Sequence, residues 1–524
     1  MAGVVSAGHE KTAEAGQAVL QAGGNAFDAA VAAVFAACVV EPTLTSLGGG
    51  GFLLAHSVSG ASGNVLFDFF TQTPGSRTSV RSPDFYPIEA DFGDSVQEFH
   101  IGMASIAVPG VLAGMLAVHK RLGRLPLKVV AEPAVAIART GVEVTGFQGY
   151  CYELLAPILI GTDRAKAMYA PRGQLLGVGD RLQMHEFANT LESLSALGDE
   201  EALRVFYEGE IAQQIVRDCA EGGGYLSLAD LRSYEVVERS PLAINYRGVQ
   251  MLTNPPPSAG GSLIAFCLEL LDRFDLGSME YGSAEHLMLL SQAMRWTNEA
   301  RKEHLDGRLF ESGIAQAFAA SDLVDKYAGP ITEIMSSHLN RWGSTTHLSV
   351  MDDEGNAASV TTSNGEGSSY VIPGTQIMLN NMLGEEDLNP LGFNLWPENQ
   401  RMSSMMAPTM ILKDNKPQLS LGSGGSNRIR TAILQVISNI VDFGMPLKAA
   451  VESPRIHWEG GAFHLEPGYM ESAVEGVESE FLGTDRVVHW QRSNMFFGGV
   501  HSVGLDADGS LRGAGDPRRS GAVR

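Results

Sequence analysis

Cysteine is scarce in this sequence of 524 residues: there are four, at positions 38, 151, 219 and 267, and no two of them form a C-x-x-C pair. Cys38 and Cys267 lie in apolar helical patterns, which are typical of buried free thiols. We therefore expect a reducing compartment, and we expect neither a catalytic thiol nor a metal site.

Positively charged residues are also few relative to negatively charged ones. The 37 lysines and arginines are outnumbered by 60 aspartates and glutamates, so the formal net charge is -23. Nucleic acids and anionic membrane surfaces bind basic patches. The composition therefore argues against both as partners.

Long hydrophobic runs are missing as well. The most apolar stretch, residues 26–40, contains Asp28 and is stopped by Pro42. It is shorter than the ~18 to 20 residues that cross a bilayer, so we predict a buried core helix. Met1 is followed directly by Ala2-Gly3 without a basic segment, so we expect no secretory signal and a cytoplasmic location.

What the sequence does contain is a helical middle, roughly residues 105 to 335, and four alternating stretches with turn residues between their arms. Such stretches predict β-hairpins, here over 52–70, 348–360, 409–421 and 500–513. Stacked hairpins with flanking helices predict an α+β fold, a four-layer αββα sandwich. One hairpin comes from the first 70 residues, so both halves of the chain must form one joint folding unit.

Four consecutive glycines, Gly48–Gly51, invite interpretation as a phosphate-binding loop. However, the pattern runs helix, loop, strand, and it lacks the Gly-Lys-Ser/Thr of such loops. We interpret these glycines as positions where the backbone packs very closely.

A hydroxyl-rich stretch, residues 343–350, enters the second hairpin. Its alternation directs Thr345, His347 and Ser349 to one face of a strand. If the chain is cut before Thr345, that residue gains a free α-amine beside its own Oγ and becomes a self-activated nucleophile. The alternative is that these hydroxyls merely decorate a strand. We interpret His347 as a packed strand histidine.

Ordered motifs across nearly the whole chain resemble the gamma-glutamyltranspeptidase family of N-terminal nucleophile hydrolases. The resemblance is carried by residues 23–30, 47–52, 108–110, 206–209, 255–261, 345–347, 379–381, 403–405, 422–428 and 516–518. It implies a precursor that cuts itself between Ser344 and Thr345. The fragments, 1–344 and 345–524, would stay together non-covalently, with a homodimer of the processed pair possible and no cofactor or metal required.

The resemblance also implies roles for individual residues. Thr345 would be the nucleophile, and Ser363, 18 residues later, would hydrogen-bond it. Gly425, with the backbone N–H of Gly424 or Ser426, would form the oxyanion hole. Ser403 and Ser404 would hold the carboxylate of the acyl donor.

Four departures from the family pattern affect the acyl donor. Phe70 stands where the family has an arginine that grips a carboxylate, and Met382 stands where it has Gln or Glu. Glu385 is expected to replace an aspartate, and Asn364 or Glu366 a missing asparagine. The sequence thus leaves three hypotheses: hydrolysis or transfer of gamma-glutamyl amides such as glutathione, a cephalosporin-acylase-like activity on another small amide, or a non-catalytic scaffold.

Overall fold

The computed structural model describes residues 3–59, 63–78, 80–91, 96–328, 344–389, 391–481 and 485–524. Residues 60–62, which belong to the turn expected at 60–64 within the predicted hairpin 52–70, and Gly343, the first residue of the hydroxyl-rich stretch, lie outside these ranges. The helices of the described chain are α1 Glu10–Gln21, α2 Ala26–Val40, α3 Val111–Leu122, α4 Leu127–Thr140, α5 Gly146–Leu154, α6 Ala156–Leu159, α7 Asp163–Tyr169, α8 His185–Leu197, α9 Asp199–Tyr207, α10 Glu210–Gly222, α11 Leu228–Arg232, α12 Gly260–Leu271, α13 Ala284–His304, α14 Ile314–Phe318, α15 Ser321–Ala328, α16 Arg428–Val441, α17 Leu447–Glu452 and α18 Glu471–Phe481.

The strands of the described chain are β1 Gly3–Ala7, β2 Gly50–His56, β3 Asn64–Phe69, β4 Tyr86–Asp91, β5 Val96–Ile101, β6 Val142–Glu143, β7 Arg181–Leu182, β8 Val237–Arg239, β9 Leu242–Tyr246, β10 Val249–Thr253, β11 Thr346–Asp352, β12 Ala357–Ser363, β13 Val371–Ile372, β14 Ile377–Met378, β15 Thr409–Lys413, β16 Lys416–Gly424, β17 Ile456–Glu459, β18 Ala462–Leu465, β19 Arg486–His489, β20 Gly499–Leu505, β21 Leu511–Ala514 and β22 Ala522–Val523. None of the helices in these ranges is both long and apolar enough to cross a bilayer.

All four predicted hairpins form, as antiparallel pairs β2–β3, β11–β12, β15–β16 and β20–β21. They join two large sheets, with strand orders β22-β1-β11-β12-β2-β3-β8 and β21-β20-β16-β15-β10-β9. The first sheet shares an apolar core with α1 to α4 on its outer face, and the second shares one with α12, α13 and α16. The predicted αββα sandwich is confirmed.

The helix starts follow from capping chemistry. The side chain of Asn25 accepts from the backbone N–H of Asp28 while the Asp28 carboxylate accepts from the Asn25 N–H, and Ser227 and Asp230 do the same at α11. Each reciprocal pair satisfies N–H groups that a helix start leaves without partners. The predicted apolar stretch 26–40 is indeed a core helix, buried on every side.

A polar layer lies where the two sheets face each other. The ring nitrogens of His347 lie 2.8 Å from Thr361 Oγ1 and 3.0 Å from Ser349 Oγ, and Ser349 Oγ donates to the His501 carbonyl. A Cβ at Gly422 would lie 2.3 Å from the His347 ring, so the sheets approach closely only because a glycine is there. Burial lowers the pKa of His347 well below its usual value, so the ring is a neutral packing element.

The glycines at 48–51 do bring backbones together, as predicted. A Cβ added at Gly49 would lie 2.3 Å from the Ser363 carbonyl oxygen, and one at Gly51 would lie 2.5 Å from that of Thr361. Distances below 3 Å cannot be occupied without moving the backbone. The run therefore fixes β2 against β12, at whose end Ser363 lies.

The two ends of the chain meet at one edge of the first sheet. The backbone N–H of Val5 donates to the Arg524 carbonyl at 2.8 Å, and the N–H of Arg524 donates back to Val5 at 2.9 Å. Strand β1 pairs on its other side with β11. Sequence analysis did not identify β1 or β22, because strands of five and two residues show too little alternation.

A buried ionic network anchors the turn at 516–519. Asp516 accepts from Arg455 at 2.6 Å and from Arg518 at 3.2 Å, and Arg518 also pairs with Glu466. Burial alone would raise the pKa of Asp516, but Arg455 and Arg518 lower it to about 2. The carboxylate thus stays charged and links the C-terminal segment to the second sheet.

We expect Asp516→Asn to lower the free energy of unfolding by about 3 kcal/mol, because it leaves two buried guanidinium groups without their shared anion. Denaturant unfolding monitored by circular dichroism measures the change. Asp506→Asn is the matched control, since it removes an exposed partner of Arg512 and should cost no more than about 0.5 kcal/mol. Equal effects of the two changes would contradict the role of the network.

Candidate functional site

The Ser344–Thr345 peptide is held from both sides at the start of β11. The hydroxyl of Ser363 donates to the Ser344 carbonyl oxygen at 2.5 Å, and the Ser344 N–H donates to Glu366 Oε1 at 2.9 Å. The ladder pairs Thr346 with Thr362, so the next position along it places Ser363 opposite Thr345. The residues predicted as cleavage site, nucleophile and its hydroxyl partner therefore lie together, and all of them are buried.

The predicted oxyanion loop follows β16. Gly425 has φ +127° and Ser426 has φ +48°, both in the region that favours glycine, and α16 begins at Arg428. In the described part of the chain neither Gly425 nor Ser426 donates its backbone N–H to a protein acceptor. The loop thus offers two N–H groups near Thr345, and it packs so closely that a Cβ at Gly424 would lie 2.1 Å from the Thr345 carbonyl oxygen.

A cavity of about 450 Å³ opens onto Ser344 and Thr345. Its walls are mainly apolar and rich in sulfur, and a set of hydroxyl and carboxyl groups lines the same cavity. The apolar residues include Phe70, Met382, Met402, Met405, Met406 and Trp396, and the polar ones include Ser363, Glu366, Glu385, Asp387, Ser403, Ser404 and Ser426. Phe310 and Leu391, both more than half exposed, line it as well.

Three carboxyl groups lie on one side of this cavity. Burial raises the pKa of Glu366, and burial together with the neighbouring Glu366 carboxyl raises the pKa of Glu385 well above its usual value. Asp387 accepts a hydrogen bond from the Ser426 hydroxyl at 2.6 Å, which joins the carboxyl cluster to the oxyanion loop. Such a cluster attracts a cationic group, and burial favours the protonated forms of Glu366 and Glu385.

Phe70 lines the cavity at the position predicted for it, with its ring stacked on Phe52. The nearby arginine is Arg401, but its guanidinium donates to the carbonyls of Phe70 and Glu235 and lies 3.4 Å from Asp68. Arg401 also stacks on Tyr234. The Arg401 guanidinium is therefore used in contacts within the protein. It does not take over the role of the family's arginine, whose position Phe70 occupies.

The remaining predicted residues divide into two groups. Ser403, Ser404 and Glu385 line the cavity, although the Ser404 hydroxyl also accepts from the Met406 N–H at 3.0 Å. Asn364 does not line it, and its role in substrate binding stays a prediction. A Cβ at Gly49 would lie 3.2 Å from its side-chain oxygen, because the side chain turns toward the glycine run. Glu366, two residues later, occupies the cavity wall instead.

Two contributors were not identified from the sequence. Asp387 is the third of three consecutive acidic residues, 385–387. Exposed loops often contain such runs, so this pattern did not indicate a site. Arg519 follows the matched 516–518 motif and donates to the Thr345 carbonyl at 3.1 Å. Among the described residues no group of three His, Cys, Asp or Glu side chains is arranged to hold a metal ion.

Comparison with known proteins gives a consistent result. The sequence model described as gamma-glutamyltranspeptidase matches residues 12–524. The chain is 31% identical to the glutathione hydrolase proenzyme of Escherichia coli (strain K12), over 98% of this chain and 90% of that protein. It is 32% identical to the acylase ACY 1 proenzyme of Pseudomonas sp. (strain V22), over 99% of this chain and 92% of that protein.

Solved structures agree with the fold. The chain superposes on cephalosporin acylase from Bacillus halodurans with a TM-score of 0.85 at 24% identity, over 100% of this chain and 95% of that one. The gamma-glutamyltranspeptidase of Helicobacter pylori matches 61% of this chain and 89% of its own, with a TM-score of 0.53 and 29% identity.

The fold and these matches define an N-terminal nucleophile hydrolase. The chain belongs to the gamma-glutamyltranspeptidase family, an enzyme family whose relatives here are proenzymes of glutathione hydrolases and acylases. The resemblance and fold class predicted from the sequence are confirmed.

We expect the carboxyl cluster to make stability depend on pH. A carboxyl whose pKa is raised on folding stabilises the fold fully below its unfolded pKa of ~4.3, and this contribution is lost as pH rises toward the folded value. Glu385→Gln removes the titrating group. Between pH 5 and pH 8, the melting temperature of wild type relative to that of Glu385→Gln should therefore fall by about 2 °C. Differential scanning calorimetry tests this, with the exposed neighbour Glu386→Gln as control; parallel curves for wild type and Glu385→Gln would contradict it.

Proposed function

We propose that this chain is a self-processing N-terminal threonine amidohydrolase and acyltransferase acting on gamma-glutamyl amides. The observation that carries the proposal is the Ser344–Thr345 junction, which is gripped by Ser363 and Glu366 and opens onto the cavity beside the oxyanion loop. A scaffold protein has no need of this arrangement. In this proposal residues 1–344 and 345–524 are the large and small fragments.

Self-cleavage begins with Thr345 Oγ attacking the Ser344 carbonyl carbon. The hydrogen bond from Ser363 to that carbonyl oxygen stabilises the negative charge that develops on it. The C–N bond then breaks, and the hydroxyl proton ends on the new Thr345 amine, which leaves an ester between the two residues. Water hydrolyses the ester and gives a Ser344 carboxylate and a free amino-terminal Thr345.

Turnover repeats this chemistry on a substrate amide. The free α-amine takes the Oγ proton as Oγ attacks the acyl carbon. The N–H groups of Gly425 and Ser426 stabilise the oxyanion, and loss of such a donor costs ~2.7 to 4 kcal/mol in barrier. The amine product leaves with the proton, and water or a second amine releases the acyl group from Thr345.

The carboxyl cluster supports an acyl group that carries an amine. Glu385 and Asp387 lie on the wall next to the nucleophile, as an anchor for an ammonium group requires. A gamma-glutamyl group has such an amine. Its carboxylate would rest on the hydroxyls of Ser403 and Ser404, without the bidentate arginine contact that Phe70 removes.

A second candidate is an acylase that accepts a non-glutamyl acyl group. Phe70 and Met382 favour it, because they replace polar anchors with apolar surface, and three further methionines extend that wall: Met402, Met405 and Met406. Methionine-rich walls adapt to varied apolar groups. The acylase relative is in keeping with this candidate.

We expect the purified enzyme to run as two bands on a denaturing gel, the smaller one beginning at Thr345 by Edman sequencing. Thr345→Ala should remain a single chain and lose at least about 1,000-fold in kcat, because both reactions need the hydroxyl. Thr345→Ser keeps a hydroxyl and is the matched control, which should still mature. A fully active preparation that is uncut would refute the proposal.

A panel of four anilides separates the two candidates: gamma-glutamyl, glutaryl, 4-aminobutanoyl and butanoyl. Removing the amine from the gamma-glutamyl group should lower kcat/KM about 10- to 100-fold, whereas removing the carboxylate should cost less than about 10-fold, since only hydroxyls hold it. Glu385→Gln should lower kcat/KM only for the anilides whose acyl group carries an amine. Preference for the glutaryl over the gamma-glutamyl anilide would favour the acylase instead.

A further inference from the structure

A buried arginine touches the nucleophile residue from behind the cavity. Nη1 of Arg519 donates to the Thr345 carbonyl oxygen at 3.1 Å, and Nη2 donates to the Met495 carbonyl at 3.3 Å. The same guanidinium lies against the oxyanion loop, since a Cβ at Gly424 would be 3.2 Å from Nη1 and one at Gly425 would be 3.4 Å from Nη2. One side chain thus connects Thr345 to the loop that would hold the oxyanion.

The charge of this arginine is not neutralised by contact. In the described ranges no carboxylate lies within 4 Å of the Arg519 guanidinium, and its Nε finds no hydrogen-bond partner there. The side chain is only 2% exposed. A buried cation without a paired anion costs several kcal/mol, which a purely structural position would avoid.

The fold nevertheless holds Arg519 firmly. Its short helical turn starts at Asp516, whose carboxylate accepts from the Arg518 N–H and from the Val500 N–H. Its aliphatic stem packs on Gly499, where a Cβ would lie 2.6 Å from Arg519 Cδ. The ionic network thus fixes the turn that carries Arg519, and the packed stem directs the guanidinium toward Thr345.

We propose that Arg519 is a positioning residue that fixes the Thr345 backbone against the oxyanion loop and, by its charge, keeps the α-amine of the processed enzyme unprotonated. This inference rests on the proposed role of Thr345. Atoms N and O of one residue lie about 3 to 3.6 Å apart, so the guanidinium is within about 7 Å of the amine. At that distance a buried cation disfavours a second positive charge by about one to two pH units.

Other charged and titratable groups around Thr345 act on the amine as well. Glu41, which accepts from the Thr346 hydroxyl at 2.9 Å, has its pKa raised by burial to about 7, and the pKa of Glu366 is raised too. Burial thus disfavours the charged form of both carboxyls, which weakens their offset of the arginine's charge. Among the described residues, the charged and titratable groups near Thr345 and Arg519 include Glu41, Cys151, His347, Glu366, Glu385, Asp387, Arg428, His501 and Asp516, and Arg301 and Asp306 line the same cavity.

Three substitutions separate the charge from the hydrogen bond. Arg519→Gln can still donate a hydrogen bond to the Thr345 carbonyl but is neutral. Arg519→Lys keeps the positive charge but loses the paired guanidinium donors. Arg519→Met loses both the charge and the donors. Arg512→Gln, which removes an exposed arginine of the same C-terminal segment, is the matched control. The readout is the acidic limb of kcat/KM against pH, measured on processed enzyme whose amino-terminal Thr345 has been confirmed by sequencing.

We expect the acidic limb of the kcat/KM profile to shift to higher pH by about one unit in Arg519→Gln and Arg519→Met. In Arg519→Lys and Arg512→Gln it should stay within about 0.3 pH units of wild type. Arg519→Lys and Arg519→Met should also lower kcat at the pH optimum by about 10-fold, because the backbone is less well fixed. An unmoved limb in Arg519→Gln would overturn the proposal, and so would a folded Arg519→Gln precursor that never matures. Wild-type enzyme that does not begin at Thr345 would instead refute the proposed nucleophile.

Discussion

Everything at this site depends on the pairing of β11 between β1 and β12. Backbone ladders on both edges hold the strand in the middle of a seven-stranded sheet, and Thr345 lies directly before its first residue. A new amino terminus created there would remain fixed by the strand that follows it, whereas most chain ends fray. The placement of Thr345 is thereby obtained from main-chain hydrogen bonds, which do not depend on side-chain identity.

Close packing supplies the rest of the precision. Glycines at 49, 51, 422 and 424 each stand where an added Cβ would collide with β11, with β12 or with Thr345 itself. The layer between the sheets is polar and small rather than apolar, so hydroxyls and a neutral His347 replace the larger side chains of an ordinary core. Buried charges lie at the periphery of this layer, where Asp516 and its arginines hold the C-terminal turn.

The sequence was most informative where structure is local. Hairpins with turn residues between alternating arms, capping pairs such as Asn25 with Asp28, and the glycine run could all be predicted, because neighbouring residues decide them. The short strands β1, β9 and β22 could not, since only their partners make them strands. At the site, the resemblance named Thr345, Ser363 and Glu385 and left Asn364 or Glu366 as alternatives; Glu366 lines the cavity and Asn364 does not. The carboxyl cluster and Arg519 arise from tertiary contacts that no local pattern encodes.

The meeting of the two chain ends has a consequence for how the protein is connected. Val5 and Arg524 exchange backbone hydrogen bonds, so residues at opposite ends of 520 positions of sequence lie one strand spacing apart. A short linker could join them without disturbing either sheet, and the chain could then be opened before Thr345. Such a circular permutant would be synthesised with Thr345 already at its amino terminus, so the proposed turnover could be measured without the proposed self-cleavage, within a single uninterrupted polypeptide.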